Sequence, residues 1–86
     1  MDLDAALIVW NDDPGGNTEH IAPTGLTKAE VEAVIRDPAE RVGRSRRSNR
    51  PCKTSTLPDG RRVYAVWDVL SHSPPAIYPV TADEVP

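Results

Sequence analysis

The strongest constraint on the fold of this 86-residue chain is the segment LTKAEVEAVIRDP at residues 26–38. Thr27 and Glu30 have the spacing of a capping box, in which each side chain accepts a hydrogen bond from the other residue's backbone N–H. An apolar stripe follows at helical spacing, made of Val31, Val34 and Ile35. Pro38 disfavours helical backbone in the residue before it. The segment therefore predicts a helix over residues 28–37.

Two shorter elements are predicted upstream of this helix. The apolar run AALIVW at residues 5–10 is typical of a strand. The run NDDPGGN that follows it is rich in residues that favour turns. Residues 17–25 are then predicted to form one or two helical turns, which Asn17 or Thr18 would cap and Gly25 would end.

The C-terminal half of the chain has the pattern of antiparallel strands. A Pro-Asp-Gly turn signal separates residues 52–57 from residues 61–70, which predicts a β-hairpin. Residues 61–70 carry apolar side chains on both faces, as a central strand does. A last strand is predicted over residues 76–82, in which Pro79 belongs on an edge or at a bulge because it has no N–H to donate.

A chain of 86 residues has the length of one domain. The order of the predicted elements is a strand, two helices and a run of antiparallel strands. This order predicts an α+β fold for a small single domain, residues 1–86. Its N-terminal strand and two short helices would pack on a sheet of three or four antiparallel strands.

The charge of the chain is distributed unevenly. Its net charge is −3, from 10 Lys and Arg residues against 13 Asp and Glu residues. Residues 36–62 hold nine Lys and Arg against three acids, a sum of +6. The other residues hold one Lys against ten acids, a sum of −9. This asymmetry predicts one basic face on an acidic body.

The cations concentrate in RVGRSRRSNRPCK, residues 41–53, which we call the basic segment. One interpretation is a charged edge strand, whose charges discourage pairing between molecules. The other is a groove for phosphates, with which arginine makes bidentate charge-assisted hydrogen bonds.

Side-chain alternation in an extended strand would divide the arginines of the basic segment between two faces. Arg44, Arg46 and Arg50 would share one face of the sheet. Arg41 and Arg47 would point to the other. Clustering of arginines across the predicted hairpin favours the phosphate-binding interpretation over a simple run of charge.

Few other residues suggest chemistry. His20 and His72 are the only imidazoles, and neither has a ligand partner one helical turn away, so no metal or cofactor is expected. Cys52 is alone, which leaves no internal disulfide. There is no run of 18 apolar residues and the N-terminus is acidic, so neither a membrane span nor a signal peptide is predicted. These features predict a cytoplasmic protein.

Four segments, taken in order, resemble the BrnT-type toxins and their short relatives: NTEHIAPTGLTKAEVEAVIRDP, RSRRSNRP, LPDGRRVYAVWDVL and YPVTADEVP. These toxins belong to the RelE-like superfamily of bacterial type II toxin–antitoxin systems. The resemblance implies a compact sheet packed by N-terminal helices and a metal-independent ribonuclease activity. It also implies two partners, RNA and a small DNA-binding antitoxin, with a homodimer as a further option.

A metal-independent ribonuclease lets the ribose 2′-oxygen attack the adjacent phosphate, and positioned cations stabilise the charge that develops on phosphorus. On this reading Arg46 and Arg47 contact the transition state. The proton carrier would be His20 or Tyr64. Further phosphate contacts are predicted for Arg44, Arg50, Lys53, Arg61 and Arg62.

The competing hypothesis is a non-catalytic interaction domain whose basic face binds nucleic acid or an acidic protein. Both hypotheses use the same arginines, and both predict salt-sensitive binding. Cleavage of RNA in excess chelator would distinguish them.

Overall fold

The computed structural model describes all 86 residues, which form two α-helices and five strands. In chain order these are β1 (Leu7–Ile8), α1 (Asn17–Ile21), α2 (Lys28–Arg36), β2 (Gly43–Arg44), β3 (Pro51–Thr56), β4 (Arg62–His72) and β5 (Pro75–Val85). One turn of 3₁₀ helix, Ala22–Thr24, continues α1. The longest helix, α2, has nine residues, and no helix has the length and apolar character that crossing a bilayer requires.

Helix α2 begins where the capping box predicts it. Thr27 Oγ1 accepts a hydrogen bond from the Glu30 N–H at 3.1 Å, and Glu30 Oε1 accepts one from the Thr27 N–H at 2.9 Å. The helix ends at Arg36, one residue before the predicted end, because Asp37 already has extended backbone ahead of Pro38. Its apolar stripe is fully buried at Val31, Val34 and Ile35.

Helix α1 is capped differently from the prediction. Its N-cap is Gly16 and no side chain caps it, so the assignment of this role to Asn17 or Thr18 is wrong. Asn17 is instead 3% exposed. Its Oδ1 accepts a hydrogen bond from the Asn11 N–H at 2.8 Å, and its Nδ2 donates to the Pro79 carbonyl oxygen at 2.9 Å. Asn17 therefore ties the loop before α1 to strand β5.

The sheet has five strands in the order β1–β5–β4–β3–β2, and it is mixed. The expectation of three or four antiparallel strands is therefore wrong. Strand β1 joins the sheet by pairing in parallel with β5, at Leu7 with Ala76 and at Ile8 with Ile77. At the other edge, β2 pairs antiparallel with β3. Both edge strands have two residues, and the partner of β1 lies near the far end of the chain, so no local pattern indicates the parallel pairing.

Strand β4 is the central strand, as its two apolar faces predict. It pairs antiparallel with β3 across the predicted Pro-Asp-Gly turn, and with β5 on its other side. Pro79 lies at a register shift, where Val66 pairs with Thr81 and Trp67 with Pro79. Val80 is the extra residue of this bulge. The bulge confirms the prediction for Pro79, since a residue without an N–H is tolerated where the ladder is interrupted.

The two faces of the sheet differ. The helices cover one face, where Val63, Ala65 and Trp67 of β4 are at most 1% exposed. These residues belong to a single hydrophobic core that includes the apolar stripe of α2, so the chain is one small α+β domain. The opposite face presents the alternate residues of β4, among them Tyr64 and Asp68. We call it the open face.

Candidate functional site

The basic segment folds as a short strand followed by a tight loop. Strand β2 ends at Arg44, and residues 45–50, which we call the arginine loop, return the chain to β3. The Ser45 N–H donates to the Arg50 carbonyl oxygen at 2.8 Å, and the Asn49 N–H donates to the Ser45 carbonyl oxygen at 2.8 Å. Asn49 has a φ of 57°, a left-handed conformation that asparagine adopts more readily than most residues. The loop is therefore an ordered turn.

The arginine loop and the open face enclose a pocket of about 660 Å³, which we call the arginine pocket. Four arginines line it: Arg44, Arg46, Arg47 and Arg50. The strands contribute further lining side chains, among them Cys52, Tyr64, Val66, Thr81 and Asp83. With four cations against one carboxylate, the lining has a formal charge of +3.

The loop brings together arginines that an extended strand would separate. The expectation that Arg47 points away from Arg44, Arg46 and Arg50 is wrong, because the chain turns at these positions instead of continuing as a strand. Arg41, the predicted neighbour of Arg47, is exposed and lies outside the pocket. A strand directs consecutive side chains to opposite faces, whereas this turn brings consecutive residues to the border of one pocket.

The four arginines of the pocket differ in their internal partners. Arg50 Nε donates to Asp68 Oδ1 on β4 at 2.6 Å, which ties the end of the loop to the sheet. Arg44 Nη1 makes a long hydrogen bond of 3.4 Å to the Asn49 carbonyl oxygen. Arg46 and Arg47 take part in no side-chain hydrogen bond and no ion pair within the chain. These two guanidinium groups are available to a ligand.

Tyr64 lies on β4 in the pocket and is half-buried. Its hydroxyl lies beside the side chains of Cys52 and Ser45. The neighbouring Cys52 side chain and, to a smaller extent, burial raise the pKa of Tyr64 above its ordinary value of 10.0. Tyr64 therefore keeps its proton at neutral pH, so it can donate a hydrogen bond or a proton but cannot act as a base there.

Asp83 is a pocket residue that the sequence reasoning missed. It lies on β5 directly opposite Tyr64 of β4, so the two side chains share the open face. The bulge at Pro79 sets this register, and a shift of one residue would turn Asp83 to the other face. The register between β4 and β5 would identify Asp83 as a pocket residue. The sequence alone does not show which residue is bulged, so it does not fix that register.

Lys53, a predicted phosphate contact, lies outside the arginine pocket. It pairs with Ala65 on the helix-covered face and is 5% exposed. Its Nζ donates to the Ile35 carbonyl oxygen at 2.7 Å and to the Asp37 carbonyl oxygen at 2.8 Å. Burial lowers the pKa of Lys53 below its ordinary value of 10.5. The ammonium group thus binds the C-terminus of α2 and does not face the open side of the sheet.

Two further predicted phosphate contacts also lie outside the pocket. Arg61, the residue before β4, forms ion pairs with Glu30 of α2 and with Asp59 of the turn. Arg62 is exposed, and its Nη1 donates to the Thr56 hydroxyl at 3.2 Å. The side chains of these two residues therefore have different partners, and neither residue lines the pocket with the four arginines.

His20 and Tyr64, the two predicted proton carriers, are not brought together. His20 is an exposed residue of α1 and lines a separate, shallow pocket of about 260 Å³ with Tyr78. Val80 is a lining residue of both pockets. Of the two candidates, Tyr64 alone shares a pocket with the unpaired arginines.

The site can bind an anion, because two arginines without an internal partner line a space large enough for one. It can also supply a proton through Tyr64. No group of three or more His, Cys, Asp or Glu side chains is arranged to hold a metal ion. No protein-family model, curated protein or solved structure matches this chain.

Proposed function

We propose that the chain is a ribonuclease that binds RNA in the arginine pocket and acts as the toxin of a bacterial toxin–antitoxin pair. The observation that carries the proposal is the pair Arg46 and Arg47, which line the pocket without an internal partner. Like charges held in one loop repel one another, and a bound anion relieves that repulsion. Phosphate suits arginine because it accepts two parallel hydrogen bonds from one guanidinium group.

The size and lining of the pocket favour a nucleotide over a small inorganic anion. Its volume of about 660 Å³ is within the range of pockets that enclose drug-sized ligands. Tyr64 offers an aromatic side chain on which a base can stack, and proteins commonly bind single-stranded RNA with such side chains beside cations. Successive phosphates of one strand could then contact Arg46 and Arg47.

The proposed reaction needs no bound metal. The ribose 2′-hydroxyl loses its proton to solvent water as its oxygen attacks the adjacent phosphorus, the bond from phosphorus to the 5′-oxygen breaks, and a 2′,3′-cyclic phosphate forms. Arg46 and Arg47 stabilise the negative charge on the phosphoryl oxygens in the transition state. Tyr64, which is protonated at neutral pH, donates its proton to the departing 5′-oxygen and regains one from water before the next turnover. His20 has no part in this scheme because it lines a different pocket.

One observation favours a second candidate, a non-catalytic domain that holds nucleic acid or an acidic protein. The arginine pocket contains no imidazole, and Tyr64 stays protonated at neutral pH. A pocket with cations and a proton donor binds phosphates whether or not it cleaves them. This candidate predicts RNA binding without RNA cleavage.

Cleavage of labelled single-stranded RNA in excess chelator distinguishes the two candidates. We expect products that end in a 2′,3′-cyclic phosphate. Replacing Arg46 or Arg47 with alanine should slow cleavage by about 100-fold to 1,000-fold, the usual cost of removing one group that stabilises developing charge. Arg41→Ala is the matched control, because Arg41 is an exposed arginine of the same segment outside the pocket.

Two results would contradict the ribonuclease proposal. Intact RNA after prolonged incubation with the purified chain would leave only the binding candidate. Cleavage at the unchanged rate by the Arg46→Ala, Arg47→Ala double variant would show that another site, or a contaminant, performs the reaction. The toxin role is tested separately: induced expression should arrest bacterial growth, and co-expression of a cognate small DNA-binding antitoxin should relieve the arrest.

A further inference from the structure

Asp83 is the one acidic residue among the side chains that line the arginine pocket. It forms no ion pair with any of the four arginines, and its only side-chain hydrogen bond is a long one of 3.5 Å, accepted by Oδ2 from the Thr81 hydroxyl. It is exposed, so no burial penalty drives it to find an internal partner. The carboxylate is therefore free to accept hydrogen bonds from a ligand.

Phosphate binding alone does not account for this carboxylate. A negative charge beside a phosphate site opposes phosphate binding, so a pocket that recognised phosphate only would bind better without it. An ionised carboxylate accepts hydrogen bonds and donates none. The ligand that suits both parts of the lining therefore carries a phosphate close to a hydrogen-bond donor.

RNA has such a donor beside each phosphate. The ribose carbon that bears the 2′-hydroxyl is bonded to the carbon that bears the 3′-phosphate, so the two groups always lie close together. The 2′-hydroxyl is also the group by which a protein distinguishes RNA from DNA. Asp83 lines the same pocket as Arg46 and Arg47, and it stands directly opposite Tyr64 on the open face.

We propose that Asp83 accepts a hydrogen bond from the ribose 2′-hydroxyl and so makes the arginine pocket selective for RNA over DNA. This inference rests on the proposed binding of RNA in that pocket, but it does not depend on cleavage. Asp83 is thus a specificity-determining residue, whereas Arg46 and Arg47 supply affinity for any single-stranded phosphate backbone.

The test compares the affinity of the chain for three fluorescent strands of equal length: oligouridine, its 2′-deoxy form and its 2′-fluoro form. Uracil has no exocyclic amine, and its N3–H donor is the same in all three strands, so a difference in affinity reports the 2′-substituent. The 2′-fluoro strand keeps an electronegative 2′-substituent but cannot donate a hydrogen bond. Titrations are completed before cleavage is detectable by electrophoresis.

The wild-type chain should bind oligouridine about 10-fold to 100-fold more tightly than either strand without a 2′-hydroxyl. This ratio corresponds to the free energy that one hydrogen bond to a charged group contributes. Asp83→Ala should bind all three strands with nearly equal affinity, and should bind the deoxy strand at least as tightly as the wild type does. Glu84→Ala is the matched control, because it removes the neighbouring exposed carboxylate, which pairs with Val63 on the opposite face. It should keep the wild-type preference for RNA.

The inference is overturned if the wild-type chain does not distinguish the three strands, or if Asp83→Ala keeps the wild-type preference. Equal loss of preference in Glu84→Ala would also overturn it, since a general charge effect would then explain the result. Selective binding of oligouridine without cleavage would contradict the ribonuclease proposal and leave the role of Asp83 supported. Failure to bind any strand would overturn both.

Discussion

Lys53 and Arg46 are cations of the same basic segment with opposite surroundings. Lys53 is 5% exposed and donates to two carbonyl oxygens at the end of α2. Arg46 lines the arginine pocket and has no internal partner. A buried charge must be satisfied within the fold, whereas an unpaired charge at the surface remains available to a ligand. The segment therefore serves both the stability of the fold and its proposed binding site.

The role of Lys53 can be tested with Lys53→Met. Methionine is similar in length and apolar, but it cannot donate, so the carbonyl oxygens of Ile35 and Asp37 lose their hydrogen-bond donor. We expect the free energy of unfolding to fall by about 2–3 kcal/mol, the cost of losing hydrogen bonds from a charged group at a buried position. Urea unfolding measures the change. Arg41→Ala, an exposed position, should stay within about 0.5 kcal/mol of the wild type. Equal stability of the two variants would refute the structural role of Lys53.

The arginine loop is the element that builds the site, and three hydrogen bonds hold its shape. The backbone hydrogen bonds of Ser45 close it, and Arg50 ties its end to Asp68 of β4. Asn49 supplies the left-handed residue that lets the chain reverse. An extended strand in place of this turn would direct Arg46 and Arg47 to opposite faces. Convergence of the arginines is thus a property of the loop conformation.

Substitutions at Asn49 test this dependence on the loop. Asn49→Gly should keep both stability and RNA affinity close to those of the wild type, since glycine adopts positive φ without steric cost. Asn49→Val should lower both, because a β-branched residue is strained in that conformation by more than the roughly 1–2 kcal/mol typical of non-glycine residues. Thermal unfolding and RNA titration give the two readouts. Unchanged RNA affinity in Asn49→Val would mean that the turn does not position the arginines.

For the molecule as a whole, local sequence signals predicted the elements better than their arrangement. The capping box placed the start of α2, Pro38 placed its end to within one residue, and the Pro-Asp-Gly turn placed the β3–β4 hairpin. These signals act between neighbours along the chain. The parallel pairing of β1 with β5 joins Leu7 to Ala76, and no local pattern encodes such a contact.

The candidate site was predictable only where a local sequence signal indicated it. The concentration of arginines in one segment indicated an anion site, and four of them line one pocket with Tyr64. Which face a strand residue occupies depends on register, so Lys53 could not be assigned to the helix-covered face from its spacing alone. Asp83 was missed because its face depends on the bulge at Pro79.

The stability of the whole chain should fall in acid. Four carboxyl groups have a pKa below the ordinary values of 3.8 for Asp and 4.5 for Glu, and in each case the largest cause is a hydrogen bond that the carboxylate accepts. The donors are Lys28 for Asp12, the Thr27 N–H for Glu30, the Ser55 hydroxyl for Asp37, and Arg61 for Asp59. A group whose pKa is lower in the folded state stabilises the fold above its unfolded pKa, and this contribution is lost as the pH falls through the folded pKa.

The free energy of unfolding should therefore decrease steadily as the pH is lowered below about 4.5. Urea unfolding at a series of pH values measures this dependence. Asp37→Asn should show a smaller decrease over the same range, because it lacks one of the four carboxyl groups. A free energy of unfolding that does not change between neutral pH and pH 3.8 or below would show that these contacts do not stabilise the folded state.

The salt dependence of RNA affinity shows whether Arg46 and Arg47 bind RNA phosphates. For a single strand, the logarithm of the association constant falls with the logarithm of salt concentration with a slope of about −0.7 per phosphate contact. An uncleavable 2′-fluoro strand allows equilibrium titrations of the wild type and of the Arg46→Ala, Arg47→Ala double variant. Loss of two contacts should make the slope shallower by about 1.4. An identical slope and affinity in the double variant would contradict the account.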